Sequence, residues 1–457
     1  MQKNNDYIQV INPYTDEIIG EIEATPGHEI TASVGRAASA FRNSQLSSFN
    51  RYTILNRAAE LLEKQQEAFA QSICSETGKP IRESRMEVSR ACVTLGWSAQ
   101  EALRIEGMIQ PCDVTDQNVS MQAFVQRVPL GVIAAITPFN FPLNIPAHKI
   151  GPAVAAGNAV IIKPSPKAPL TVNAFLELVR QAGLPEDLFQ AVHGGAEAAR
   201  ELVEGPVDAV SITGSTTAGR EVSSFAAGKK LIMELGGNGP VVVMEDADLE
   251  KAAKTIVFHR FGSSGQRCTA CKRAFIQESV YDEMRSRVLA LAGNLKVGNP
   301  QDEDTDIGPL IDEESAVRLE RRIAEAEARG ALVITGGKRE GKFISPALVE
   351  RIRYDDPLVK EENFGPVLPL IRFRDFREVS EMVNSTPYGL QAAIFTNKMD
   401  IIQRAFREFD VGALVVNEGP GTRIESIPFG GVKASGIGRE GVRYAINEFT
   451  TFKTLIM

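Results

Sequence analysis

Residues 131–165 read GVIAAITPFNFPLNIPAHKIGPAVAAGNAVIIKPS. Two short apolar runs, GVIAAI (131–136) and AVIIK (159–163), flank a Pro-rich turn and a helix candidate near 146–156. Continuous apolar runs of this length suit strands buried on both faces, and a helix between two of them suits a parallel crossover. The alternation continues with strands at LFQAV (188–192), AVSIT (209–213) and LIMEL (231–235). Helix candidates lie between them near 169–183, 196–204 and 216–226. The pattern predicts an α/β fold with a parallel sheet covered by helices.

Outward from that stretch, residues 52–106 have helical patterning, with long mixed segments such as YTILNRAAELLEKQQEAFAQSI. A second α/β series begins at VVVME (241–245), where Asp248 is a good N-cap for LEKAAKTIVFHRF. Further strands are expected at 273–277, 332–335, 367–372, 391–395 and 412–416. Two such series imply two lobes with a cleft between them. EGMIQPCDVTDQNVSMQAFVQRV (106–128) fits neither lobe and has the composition of a β-hairpin arm. The C-terminal FTTFKTLIM (449–457) is a candidate strand to pair with it, and such exposed edges tend to be covered by another subunit.

The chain has 457 residues, enough for two or three domains. Its 43% hydrophobic and 24% charged residues are ordinary for a soluble globular protein. A net charge of −8 without a dense basic tract argues against a nucleic-acid partner. An acidic protein that binds an anion must do so with locally placed Arg or Lys. The N-terminal MQKNNDYIQVINPYTDE lacks the apolar core of a signal peptide, and no apolar run approaches bilayer length, so no membrane association is expected. The five cysteines, at 74, 92, 112, 268 and 271, are then expected to be reduced thiols in a cytoplasmic protein.

Four histidines, none in an H-E-x-x-H setting, and the lack of G-x-S-x-G weaken zinc-protease and serine-hydrolase readings. Neither a P-loop nor a G-x-G-x-x-G is present. The pair Cys268/Cys271 in FGSSGQRCTACKR (261–273) has too few companion ligands for structural zinc, so no metal is expected. Three readings remain for it: a thiol redox pair, two buried structural thiols, which the pair alone would favour, or a single nucleophile with an incidental neighbour. Glu234 at the end of an apolar strand and Asn140 in the Pro-rich turn complete a sufficient set for one reaction. A thiolate attacks a carbonyl, an amide N–H stabilises the oxyanion, and a carboxylate activates water. Arg267, Lys272 and Arg273 are expected to favour the thiolate.

At these residues the chain resembles the aldehyde dehydrogenase superfamily. The resemblance covers nearly the whole length in seven ordered blocks: TPFNFPL (137–143), GNAVIIKPS (157–165), ITGST (212–216), ELGGNGP (234–240), GQRCT (265–269), EENFGPV (361–367) and PFGGVKASGIGRE (428–440). It implies the aldehyde dehydrogenase fold. A Rossmann-like cofactor domain (1–105 and 129–233) would join an α/β catalytic domain (234–445) and a small β oligomerisation element (106–128 and 446–457), in a homodimer or homotetramer. It also implies that Cys268 is the nucleophile, Glu234 the general base, and Asn140 with the Cys268 backbone N–H the oxyanion hole. Cys271 is then a packing residue. Cofactor contacts carried over are Lys163, Ser165, Lys167, Gly195, Gly214, Ser215, Glu362 and Phe364. The expected cycle is thiolate addition, hydride transfer to the nicotinamide, a thioester, and hydrolysis; the presence of Glu234 favours hydrolysis over acyl transfer.

Relatives that prefer NAD commonly carry a glutamate three residues after the ribose lysine, where this chain has Pro166. With no carboxylate to repel a 2′-phosphate, and Lys167 beside it, the expected cofactor is NAD or NADP, with NADP at least tolerated. GQRCTACKR and PGTRIESIPFGG (420–431) most resemble phosphonoacetaldehyde dehydrogenases. Non-phosphorylating glyceraldehyde-3-phosphate dehydrogenases share an arginine before the cysteine, and lactaldehyde dehydrogenases share TPFNFPLN. The phosphonoacetaldehyde enzymes are expected to carry histidine where this chain has Phe141. The expected substrate is a short aldehyde with a phosphonate, phosphate, sulfonate or carboxylate at its far end. Arg267, Thr269, Arg423 and Phe141 are expected to line its site, with the two arginines gripping the anion. A catalytically silent binding relative and a thiol redox protein are the alternatives from other classes.

Overall fold

In the computed structural model, which describes residues 7–457, the chain opens with a hairpin of β1 (Tyr7–Ile11) and β2 (Ile18–Glu23). Four helices follow: α1 (Gly27–Asn43), α2 (Ser48–Lys64), α3 (Gln66–Thr77) and α4 (Ile81–Ala102). The helical reading of 52–106 thus resolves into three pieces. The α3–α4 joint is a left-handed Gly78 at φ 69, which ends one helix, and Pro80, which caps the next. The chain then forms β3 (Met108–Pro111) and β4 (Gln122–Pro129), the expected arm.

The opening stretch becomes β5 (Val132–Ile136), α5 (Asn144–Ala156) and β6 (Ala159–Lys163). After them come α6 (Leu170–Gln181), β7 (Phe189–Ala191), α7 (Ala196–Glu204), β8 (Ala209–Thr213), α8 (Thr216–Phe225) and β9 (Lys230–Glu234). The sheet order is Gly436–Ile437, β9, β8, β5, β6, β7, with β5 to β9 all parallel. Every residue of α5 is buried, as are all those of β6, so this helix and strand lie in the centre of the lobe. Each fully buried Val or Ile there contributes about 1.5–3 kcal/mol relative to exposure. The strand order reverses between β5 and β8, and the carboxyl ends of strands on either side of such a switch form a crevice. Asn140, Gly214 and Ser215 lie just past those two ends.

The second lobe starts with β10 (Pro240–Val243), α9 (Leu249–Phe261), β11 (Arg273–Gln277), α10 (Tyr281–Gly293) and α11 (Glu313–Ala328). Asp248 does cap α9, accepting the Lys251 N–H at 3.0 Å. The sheet runs Leu332–Thr335, Ala347–Glu350, Val367–Phe373, β11, β10, Gln391–Phe395, Ala413–Val416, parallel except at its first edge. Ala347–Glu350 is absent from the sequence expectations, because four fully buried residues are too few to show a period. The C-terminal Thr450–Ile456 pairs antiparallel with β4, and β4 with β3, in a separate three-stranded sheet.

Two crossings bring the lobes together. ELGGNGP leaves the first sheet at Glu234 and enters the second at Pro240. From the other direction, Gly436–Ile437 returns to pair with β9, with Gly436 opposite Glu234. Ser435 ties the junction, donating to Gly236 O at 2.6 Å and accepting the Gly389 N–H at 2.9 Å. Among the described residues no helix is long and apolar enough to cross a membrane.

Candidate active site

A cleft of about 320 Å³ opens between the lobes, and Asn140, Gly214, Ser215, Cys268, Glu362 and Phe364 all line it. Residues from four separate sequence blocks thus meet in one place. A larger surface groove, about 700 Å³, lies by Tyr281 and Arg372 and contains none of them.

Cys268 sits in the loop between α9 and β11, behind three successive left-handed residues: Ser263 (φ 50), Ser264 (φ 54) and Gly265 (φ 72). A left-handed serine costs roughly 1–2 kcal/mol, so the turn must be held from outside. Ser264 donates to Gly308 O at 2.8 Å, and Ser263 gives its N–H and hydroxyl to Glu83 at 2.8 and 2.6 Å. Gly265 has no alternative residue, since a Cβ there would lie 2.6 Å from Gly365 O. Burial pushes the Cys268 thiol up to about 11, with Lys272 pulling it back and Arg423 helping. Of the three cations expected to favour the thiolate, only Lys272 acts on it. Arg273 turns away to the carbonyls of Asn238, Met382 and Val383, and Arg267 is committed to Glu83. Cys271 is fully buried in the second-lobe core, and burial pushes its thiol to about 12.

The Asn140 amide donates to Gln266 O at 2.9 Å, which ties the Pro-rich turn to the cysteine loop. Glu234 is only 4% exposed, and neither carboxyl oxygen has a hydrogen-bond partner. Burial, then the nearby Glu440 charge, raises its pKa well above the usual range, against Arg423, Lys149 and Arg439. A Cβ on Gly430 would lie 2.7 Å from Glu234 Oε1, so PFGG gives this carboxyl its room. Glu440 goes the other way. Although burial works to raise it, Lys149 and Arg423 hold it down at about 2. Lys149 bridges Glu440 (3.1 Å) and Ser211 (2.9 Å).

The residues present suit a dinucleotide. Ser215 caps α8, accepting the Ala218 N–H at 3.1 Å, where a phosphate would meet the helix N-terminus. The buried hydroxyls of Thr213 and Thr216, on either side of it, have no partner, as a polar ligand would require. A Cβ on Gly236 would sit 2.2 Å from Glu362 Oε2, so the glycine leaves this carboxylate room to lie against the ELGG turn. Glu362 accepts the Gly237 N–H and pairs with Lys272, while Phe364 meets Phe139 edge-on at 6.1 Å. Lys163 ends β6 with no carboxylate partner, and burial lowers it to about 8. Gly195 precedes α7 with open space beside its Cα. Ser165 accepts the Lys167 N–H at 3.3 Å, but the Lys167 ammonium is already paired with Asp312. Arg318 and Arg322 of α11 also line the cleft. Their sequence setting, an Arg/Glu-rich amphipathic helix, reads as a solvated face and gave no signal.

The substrate residues are placed less simply. Phe141 lies under the Lys79 ammonium at 3.9 Å, and Thr269 packs against the loop at Gly421. Arg267, expected to grip the anion, instead pairs with Glu83, and its Nε donates to Ser263 Oγ at 3.2 Å. It does not line the cleft. Arg423 is not part of that lining either, but it is 11% exposed and close enough to influence both Cys268 and Glu234. It stacks on Phe429 at 4.0 Å and donates to Glu440 at 3.0 Å. Its Nε lies 3.4 Å from Glu425, which also takes Arg90 at 3.0 Å and His148 at 2.7 Å. Arg90 and His148 are missing from the sequence expectations; each sits inside a helix with nothing local to mark it.

The family follows from the chain itself, which matches the aldehyde dehydrogenase family over residues 1–455. The protein belongs to that family. It is 40% identical over 452 residues to a 3-sulfolactaldehyde dehydrogenase of Priestia aryabhattai, covering 98% of this chain and 94% of that one. A sulfoacetaldehyde dehydrogenase of Neptuniibacter caesariensis is 40% identical over 460 residues, 99% and 100% of the two chains. Among solved structures, the NADP-dependent glyceraldehyde-3-phosphate dehydrogenase of Bacillus halodurans C-125, complexed with NADP, superposes with TM-score 0.97 at 36% identity, covering 100% and 96%. The two-lobed α/β architecture is therefore the aldehyde dehydrogenase fold.

Proposed function

We propose that this aldehyde dehydrogenase oxidises a short aldehyde with a monoanionic far end, a sulfonate first among them, to the carboxylate through a thioester on Cys268. The observation that carries this reading is the buried cluster around Arg423. Arg90, Glu425, Arg423, Glu440 and Lys149 form one linked chain of ion pairs. Counting Arg and Lys alone, the three cations exceed the two carboxylates by one charge, and burial, then the Arg423 charge, lowers the His148 pKa. Such an excess next to the nucleophile suits a monoanion. The two sulfonate-aldehyde relatives support the same choice over phosphonoacetaldehyde, as does Phe141 in place of the histidine expected there.

In this mechanism the Asn140 amide and the Cys268 N–H receive the oxyanion formed when the thiolate adds to the aldehyde. Lys272 and Arg423 stabilise the thiolate. Lys163, Ser215 and Glu362 would hold NAD or NADP, which would supply the hydride acceptor. Glu234, once ionised, takes the proton of the water that hydrolyses the thioester, and Lys149, Arg423 and Arg439 favour that ionised form. The unpartnered Glu234 carboxyl oxygens, close enough to act on Cys268, support hydrolysis over acyl transfer. By the same reading, 1–105 with 129–233 form the cofactor domain and 234–445 the catalytic domain. The three-stranded sheet, with Ile109, Phe452 and Ile456 exposed, is the surface of a homodimer or homotetramer.

The test is a panel of sulfoacetaldehyde, 3-sulfolactaldehyde, phosphonoacetaldehyde, glyceraldehyde 3-phosphate and propanal with each cofactor, followed by reduced-nicotinamide absorbance. The reading expects the highest kcat/KM on a sulfonate. A preference for propanal would overturn it.

A further inference from the structure

Helix α4 contributes nothing to the expected machinery, yet two of its carboxylates reach both halves of the oxyanion hole. Glu83 and Glu87 are one helical turn apart, so they share a face. Glu83 is bonded to the cysteine loop, taking the N–H and hydroxyl of left-handed Ser263 and the Arg267 guanidinium. Glu87, fully buried, is bonded to the other half. It accepts the N–H groups of Leu143 (2.9 Å) and Asn144 (3.1 Å), three and four residues after Asn140. These are orphan donors at the start of α5, whose own N-cap, Leu143, offers no side-chain acceptor. Lys79, paired with Glu87, presses on Phe141, the residue next to Asn140.

We propose that Glu83 and Glu87 are positioning residues, and that the rigid spacing along α4 sets the separation of the two oxyanion donors, the Cys268 N–H and the Asn140 amide. The inference rests on the reaction proposed above. It accounts for three features together: a loop holding two left-handed serines, a helix start capped from a distant element, and an arginine beside the nucleophile that is turned toward α4. The hydrogen bond between the two donor segments, Asn140 to Gln266 O, occupies one of the two N–H groups of the amide and leaves the other for an oxyanion. One such bond fixes neither the distance nor the angle between the two oxyanion donors, so a scaffold outside the hole is needed to keep them in register.

The test is a double-mutant cycle on the first-turnover rate, with the best aldehyde of the panel. Thermal midpoint and the rate of Cys268 alkylation by iodoacetamide, which forms no oxyanion, are read alongside. Glu87→Gln should slow the first turnover about tenfold or more while alkylation changes less than about twofold. In an Asn140→Ala background the same substitution should cost less than about twofold, because the donor it positions is gone. Glu83→Gln should keep its full cost in that background, since it acts through the other donor. If Glu87→Gln does not fold, Lys79→Met with Glu87→Leu leaves no unpaired ammonium and carries the same cycle. Equal Glu87 costs in both backgrounds, or folded variants with wild-type rates, would overturn the inference alone. A wild type inert to every aldehyde would overturn the proposed reaction and this inference with it.

Discussion

Arg423→Leu separates an anion-binding residue from a merely structural one. The guanidinium is the cluster cation that faces both carboxylates, and it stacks on Phe429 close to the nucleophile. A guanidinium and a sulfonate about 4 Å apart attract by about 4 kcal/mol at an effective dielectric near 20, before desolvation. Losing one partner of such a pair typically costs about 2 kcal/mol or more. The loss specific to an anionic aldehyde is therefore about 2–4 kcal/mol, roughly thirtyfold to a thousandfold in kcat/KM. A neutral aldehyde also slows, because Arg423 helps Cys268 and Glu234 to ionise. The decisive quantity is the ratio of kcat/KM for sulfoacetaldehyde to that for propanal, which cancels the shared loss. Removing Arg423 takes one cation from Glu425 and Glu440, which keep Arg90 and Lys149, so the thermal midpoint should fall, by less than a fully broken buried pair at about 3–5 kcal/mol would cause. Arg423→Lys keeps the charge without the planar fork and should show an intermediate ratio in a more stable protein. A ratio changed by less than about thirtyfold in folded Arg423→Leu would refute the reasoning, since about 2 kcal/mol is the least it allows.

Cys268→Ser should abolish turnover while Cys271→Ser retains most of it, since the second thiol faces the core; equal losses would contradict a single nucleophile. Pro166→Glu should lower NADP use relative to NAD by about fivefold, the effect of roughly 1 kcal/mol of screened repulsion. Asp312→Asn, which frees Lys167, should move the ratio the other way; kcat/KM with both cofactors checks the pair. Glu234 has a raised folded pKa, so its contribution to stability is complete below its unfolded value and is lost as pH rises through the folded one. Glu234→Gln should therefore raise the thermal midpoint more at about pH 9 than at about pH 5. In the wild type, hydrolysis of the thioester should speed up across that alkaline limb, and a flat single-turnover profile would contradict the base role.

The sequence disclosed what local order can encode. Short, mainly apolar runs located β5, β6, β8 and β11, and the seven blocks marked Cys268 and Asn140, which share one cleft, and Glu234, which is near enough to act on Cys268. What stayed hidden depends on partners far apart in the chain. Arg267 looks like a free cation in GQRCT, but its acceptor, Glu83, lies 184 residues earlier on another helix. Lys167 looks available for a phosphate until Asp312 is seen beside it. Arg90 and His148 acquire meaning only through Glu425, a residue of a distant loop. Charge pairing of this kind leaves no period or spacing to read, so ionic roles were the least legible part of the site.

The central claim is most directly tested by trapping the acyl-enzyme. Glu234→Gln is incubated with sulfoacetaldehyde and NADP, digested under acidic conditions, and examined by mass spectrometry. The account predicts a sulfoacetyl adduct on the peptide containing Cys268, with one equivalent of reduced cofactor formed in a burst. The adduct should be absent when Cys268 is replaced by Ser and unchanged when Cys271 is. Reduced cofactor formed in a burst without any adduct on Cys268, or an adduct carried by Cys271, would contradict it.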